Sequence, residues 1–241
     1  MTMSTDSSAP TSIGWYGKLP SAGDFLQRRL PDPVVNNWAH WFHNGLVNLQ
    51  RDAQGPNGHP FSNAPVWNFV IPATLGSPYV QMGCLLPARD RVGRRYPICA
   101  LRLFSQQDWR PQQLNMAASW YQQLGYTLLN GVRNGFSAEQ IDRTLQAIPA
   151  LPSPPAEADS EILSIIGFQH PDVPGLGWQQ AADCFDPAQY TSFWWTNQAD
   201  GHPLYTHVHS GNLTVQLFSL LFEPNGWARP GRGGQYPQMF D

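Results

Sequence analysis

The 241 residues predict an α/β fold held in one domain, and three observations carry that expectation. Apolar, β-prone runs recur with only short turns between several of them, which favours antiparallel neighbours over crossovers. Two long stretches carry apolar residues at helical spacing. Ten Trp, eight Tyr and twelve Phe supply enough apolar area for a large core, while only 13% of residues are charged, about half the share of an average globular protein.

The elements follow in order. Residues 1–12 are small and polar and read as a disordered N-terminus, without the basic and apolar regions of a signal peptide. Ile13, Trp15 and Tyr16 open a first strand. It breaks at Gly17-Lys18-Leu19-Pro20 and turns again at Ser21-Ala22-Gly23-Asp24. Lys18 and Asp24 therefore sit on a shaped loop. They are either recognition groups or the solvated corners of a structural turn. Asp32 and Pro33 then predict a helix start, as cap and first helical residue. Val34, Trp38, Trp41, Phe42, Leu46 and Leu49 continue as its stripe to about Arg51. At that spacing Trp38 and Trp41 read as buried core rather than as a stacking platform.

Residues 64–72 and 79–86 read as two strands of a hairpin. Residues 87–97 read as a charged loop, followed by a third strand over 98–104. Residues 111–131 predict one helix, with Leu114, Ala117, Ala118, Tyr121, Leu124, Leu128 and Leu129 on its stripe and Gly131 or Gly135 closing it. Ser137 to Gln140 forms a capping box for a short helix reaching Ile148. Residues 149–159 read as a long surface loop by composition, and 168–186 as turn-rich. Tyr190 to Thr196 reads as an interior strand, 204–209 as a short strand with His207 and His209 on one face, and 213–222 as a helix. The Gly/Pro-rich stretch 223–241 reads as a tail.

Charge and cysteine usage narrow the function. Lys and Arg number 14 against 17 Asp and Glu, a net charge of −3. That balance argues against a general nucleic-acid or anionic-membrane binder. Cys84, Cys99 and Cys184 are dispersed and odd in number, which fits a reduced compartment better than a disulfide framework. No apolar run approaches a membrane span of ~18 residues, so no membrane insertion is expected.

Chemistry-bearing clusters are few. Arg89, Arg91, Arg94 and Arg95 crowd one loop around Asp90. The cluster is an anchor for a carboxylate, a phosphate or a partner surface, or else a loop knotted by an Asp–Arg pair. His207 and His209, with His202 nearby, offer two metal ligands, but no third ligand is nominated and no metal or other cofactor is expected. Nucleophile elbows and phosphate loops are missing: Gly231-Arg232-Gly233-Gly234 opens no helix, and Lys18 lacks the P-loop spacing.

Three stretches together resemble a known family. Gly14-Trp15-Tyr16-Gly17-Lys18-Leu19-Pro20-Ser21-Ala22-Gly23-Asp24-Phe25, running on to Arg29-Leu30-Pro31, is similar to the opening motif of the TagF family, also called ImpM, accessory proteins of bacterial type VI secretion. Ala64-Pro65-Val66-Trp67-Asn68-Phe69 resembles its second motif, and Asp90-Arg91-Val92-Gly93-Arg94-Arg95-Tyr96-Pro97 its third. The Trp38/Trp41 helix and Ser192-Phe193-Trp194-Trp195 also fit, so the likeness spans roughly 13–222. The His202–His209 stretch departs from the family's usual ending. Some members carry a fused phosphatase domain, for which 241 residues leave no room, so no dephosphorylation is expected.

The resemblance implies a single three-layer α/β/α sandwich whose mixed, largely antiparallel central sheet has helices on both faces. It further implies a non-enzymatic, cytoplasmic role. Family members are associated with post-translational restraint of apparatus assembly and with binding the forkhead-associated scaffold protein of the same system. The partner-binding candidates are then Lys18, Asp24, Arg89, Asp90, Arg91 and Arg94, on two loops expected to meet at one sheet edge. Two other functions fit the residues less well: a structural subunit of the secretion baseplate, and a metal-dependent hydrolase using His207 and His209.

Overall fold

A computed structural model describes residues 12–52, 60–151, 175–198 and 202–223. The expectations for the N-terminus before Ser12, for most of the 149–159 loop, for 168–174 and for the tail beyond Glu223 lie outside those residues.

Seven strands form one sheet in the order β2-β1-β5-β4-β3-β6-β7. They are β1 (Gly14–Gly17), β2 (Leu26–Arg28), β3 (Trp67–Ile71), β4 (Tyr79–Arg89), β5 (Arg95–Ser105), β6 (Thr191–Asn197) and β7 (Pro203–Ser210). Every pairing among them is antiparallel; short links explain those of consecutive strands, while β1–β5 and β3–β6 are long-range. The helices are α1 (Asp32–Asp52), α2 (Pro111–Asn115), α3 (Ala118–Arg133), α4 (Ala138–Gln146), α5 (Gln179–Cys184) and α6 (Val215–Phe222), with a 3-10 turn at Pro60–Asn63.

Each face of the sheet buries its own core, which makes three layers. On one face α1 and α6 bring Trp38, Trp41, Phe42 and Phe218 against Trp67, Phe69 and Trp194. On the other, α3, α4 and α5 bring Tyr121, Leu124, Ile141 and Ala181 against Trp15, Met82, Ile98 and Trp195. Alternation along β3 shows the division directly: Trp67, Phe69 and Ile71 face one core, while Val70, and Val66 just before the strand, face the other. Burying each such side chain contributes about 1.5–3 kcal/mol. The indoles also need hydrogen-bond partners. Trp38 donates to Gln81 Oε1 at 2.9 Å, Trp41 to the Thr214 carbonyl at 2.8 Å and Trp67 to the Leu221 carbonyl at 2.8 Å. These bonds tie α1 and α6 to the sheet at fixed points, and confirm the Trp38/Trp41 pair as core.

Several expectations need correction. The Pro31 carbonyl accepts from Val34 and Val35 N–H, so the helix cap falls one residue before Asp32. The single helix expected over 111–131 is two. It breaks at Met116 and Ala117, both near φ −90° and ψ 0°, and the Asn115 carbonyl there accepts the Leu176 N–H at 2.6 Å. That long-range bond replaces a helical one. The charged loop over 87–97 is mostly strand: Pro87 sits opposite Pro97 and Arg89 opposite Arg95, leaving a tight turn from Asp90 to Arg94. Two short elements were not expected at all. Strand β2 has three residues and depends on β1 for its pairing. Helix α5 has six residues and buries only Ala181 and Ala182.

Candidate partner-binding site

The site begins where β1 ends. Gly17 has φ +148°, and a Cβ there would lie 2.6 Å from Ile98 Cα and collide with the Pro97 carbonyl. Only glycine allows both the backbone conformation and the close approach of β5. The chain then leaves the sheet at Lys18, and the Ala22 N–H closes a turn on the Leu19 carbonyl at 3.0 Å. On the other side, β4 and β5 are joined through Asp90 to Arg94. Gly93, at φ +85°, supplies the left-handed residue this turn needs.

The two loops meet around the Asp90 carboxylate. Asp90 Oδ2 accepts from Lys18 Nζ at 2.8 Å and from Arg94 Nε at 2.6 Å. Its Oδ1 accepts from the backbone N–H of Val92 at 3.0 Å and of Arg94 at 2.9 Å. Bonds to backbone carbonyls add to this: Arg91 N–H donates to the Ala22 carbonyl at 2.9 Å, and the Arg94 side-chain Nη2 to the Gly23 carbonyl at 2.7 Å. Lys18 Nζ also lies 4.7 Å from the Phe25 ring centre, a cation–π distance. Phe25 in turn packs edge-on against Tyr96, 4.8 Å between ring centres. Loop, turn and strand thus form one rigid unit.

Burial separates these residues into two groups. Lys18 is 5% exposed and Asp90 1%. A buried charge of either sign is tolerated only when paired and hydrogen-bonded. Burial by itself raises the Asp90 carboxyl. The Lys18 ammonium, the Arg94 backbone N–H and the Arg94 guanidinium outweigh that and hold it well below the usual carboxylate range. Asp24, Arg89, Arg91, Arg94 and Arg95 are exposed. The pairing that knots the loop is therefore Asp90 with Lys18 and Arg94, while Arg91 and Arg95 make no ion pair among the described residues.

The six residues named from sequence are brought together, though at the ends of strands β1, β4 and β5 rather than along a lateral edge, because both loops leave the sheet at the same end. What sequence reasoning missed is apolar. Phe25 is 55% exposed and Val92 69%, so the basic surface has hydrophobic neighbours. Phe25 follows Asp24 in an aromatic-rich stretch, and nothing in its local pattern distinguishes it from core. Asp142 was missed too. It accepts from Arg29 Nη2 at 2.6 Å and from Trp15 Nε1 at 3.4 Å, joining the β1–β2 hairpin to α4.

The histidine pair lies elsewhere, on β7 at the opposite edge of the sheet from β2. The rings of His207 and His209 are 6.3 Å apart, centre to centre. Among the described residues no group of three or more His, Cys, Asp or Glu is placed to hold a metal ion. Cys84 and Cys99 are buried, and burial pushes both thiols up, so they serve as small apolar side chains. No helix among the described residues is long and apolar enough to cross a membrane.

Comparison with known proteins places this geometry. The overall fold is similar to the crystal structure of PA0076 from Pseudomonas aeruginosa PAO1, solved at 2.05 Å. The TM-score is 0.64 at 22% identity, with 92% of this chain and 99% of that one covered. At that identity the likeness speaks for the fold alone. No match to a curated protein is found. The family model described as "TagF N-terminal domain, Type VI secretion system-associated" matches residues 14–148, from β1 to just beyond α4, and so includes both loops of the site. Because that match spans more than half of the chain, the protein belongs to the type VI secretion-associated TagF N-terminal domain family.

Proposed function

We propose that this chain is a non-enzymatic, cytoplasmic regulator of type VI secretion, a post-translational repressor that acts by binding the forkhead-associated scaffold protein of the same system. Family membership supports the secretion context. One observation carries the binding surface: the buried Lys18–Asp90 pair, clasped by the exposed Arg94, locks two loops into a rigid platform whose outer side is arginine-rich. Rigid presentation lowers the entropy lost on binding. Arginine forks suit carboxylate or phosphate groups on a partner, and the exposed Phe25 and Val92 add apolar contact of the kind found at interface centres. Lys18 and Asp90 act inside the platform. Asp24, Arg89, Arg91 and Arg94, joined by Arg95, are the groups that meet the partner.

Calorimetric titration of the chain with the scaffold, in phosphorylated and unphosphorylated form, tests this reading. The expected result is micromolar or tighter binding, on the order of −8 kcal/mol. Arg91→Ala combined with Arg95→Ala should weaken it by roughly a hundred-fold or more, the cost of losing two charge-assisted contacts worth about 1.5–3 kcal/mol each. Binding of the double variant at wild-type affinity would remove this surface from the proposal. Absence of heat with both folded proteins would remove the scaffold as the partner and turn attention to the baseplate.

A further inference from the structure

The edge strand β7 carries a feature that the regulatory reading does not use. His207 and His209 are two residues apart on one strand, so their side chains leave the same face. Their rings are 6.3 Å apart and only 30° from coplanar in tilt. Both are half-buried, on the face of β7 that also carries Tyr205.

The hydrogen bonding of His209 is that of a prepared ligand. Its Nε2 lies 2.8 Å from the Asn212 carbonyl oxygen. A carbonyl only accepts, so Nε2 carries the proton, and in the neutral ring Nδ1 keeps its lone pair. Metal-bound histidines are commonly oriented in this way, by donating their second nitrogen to a backbone carbonyl or carboxylate. Asn212 thus supplies the outer support that the sequence alone did not nominate. The His207 imidazole makes no hydrogen bond among the described residues. It also borders a cavity of about 200 Å³ lined by Trp67, Tyr205, Thr206 and Leu220.

We propose that His207 and His209 form a two-imidazole site for a divalent first-row transition ion on strand β7, with water filling the remaining positions. The spacing permits it. With metal–nitrogen bonds of about 2 Å, two rings stand roughly 4.5 Å apart between centres at adjacent positions of a tetragonal copper(II) ion, and roughly 5 Å on a tetrahedral ion. The present 6.3 Å is wider, so binding requires the two rings to turn toward each other. Imidazole ligands and the usual order of divalent affinities place copper(II) highest, with nickel and zinc below it. Two protein ligands leave the coordination open, so the site binds a solvated ion rather than enclosing a structural one.

The test uses the full-length chain, stripped of metal with a chelator and titrated with copper(II) alone. The expected result is one equivalent bound, with an electron paramagnetic resonance spectrum showing two coupled imidazole nitrogens. In the wild-type protein, proton resonances of His207 and His209 should broaden first, a readout that needs no variant. His207→Ala and His209→Ala should each lower affinity on the order of ten-fold or more, as expected when half of a chelate is lost. His40→Ala, on α1, should bind as wild type. No copper bound to the folded wild-type chain overturns the proposal, as does equal affinity in the His207→Ala/His209→Ala double variant, or broadening that begins at other histidines.

Discussion

Lys18 and Asp90 on one side, Arg91 and Arg95 on the other, are neighbours at the same end of the sheet and meet opposite fates. The first pair is withdrawn from water and satisfied inside the chain. The second pair is exposed and makes no ion pair among the described residues. The difference teaches that a charged motif is not one functional unit. Its inner charges build the loop conformation, and its outer charges are what a partner can reach. Physical cost decides the division. An unpaired buried charge is expensive, so buried positions demand complementary partners, whereas a solvated guanidinium demands none.

The largest expected effect comes from breaking the inner pair. Asp90→Ala leaves the Lys18 ammonium buried without its carboxylate and frees the N–H groups of Val92 and Arg94. It should cost about 3–5 kcal/mol in urea unfolding. Lys18→Met should cost less, because Asp90 keeps Arg94 Nε and two backbone donors. Equal, negligible losses in both variants would erase the distinction between inner and outer charges.

Acid sharpens the same point. The Asp90 carboxyl is held well below its ordinary range in the fold, while in the unfolded chain it titrates near about 3.9. A depressed folded value stabilises the protein above the unfolded one, and that stability drains away as pH falls toward the folded value. Unfolding free energy should therefore decline below about pH 4, with a smaller slope in Asp90→Asn. Parallel pH profiles for the two proteins would show that Asp90 does not carry the effect.

The smallest expected effect is on the outer side. Arg91→Ala and Arg95→Ala should each change stability by no more than about 0.5 kcal/mol, measured by the same unfolding assay. A loss of 2 kcal/mol or more, on the order of a buried defect, would mean that these side chains are structural too.

Much of this molecule was legible in the residues. Asp32-Pro33 and the Trp38 stripe announced α1 to within a residue at either end. The Ser137–Gln140 capping box forms with both of its bonds, and Thr214 caps the helix expected near the end. The opening loop and the arginine loop were also visible as candidates. The misses share one cause, long-range contact. The 111–131 helix breaks where Leu176 takes a carbonyl. Strand β2 exists because β1 pairs with it. The 87–97 segment looked like a loop because prolines and arginines discourage strands, yet its cross-strand partner holds it in register.

Period, capping and turn chemistry are local properties, so the sequence by itself determined where most helices and strands lie, that the sheet is largely antiparallel, and which loops carry charge. Which of those charges are buried is not local. Lys18 and Asp90 are 72 residues apart along the chain, and nothing near either one announces the other. Only the tertiary structure, by folding β1 against β5, brought them within 2.8 Å and turned Arg91 and Arg95 outward. Burial is a property of the whole packed sheet, and the cost of an unpaired charge is felt only once water has been removed.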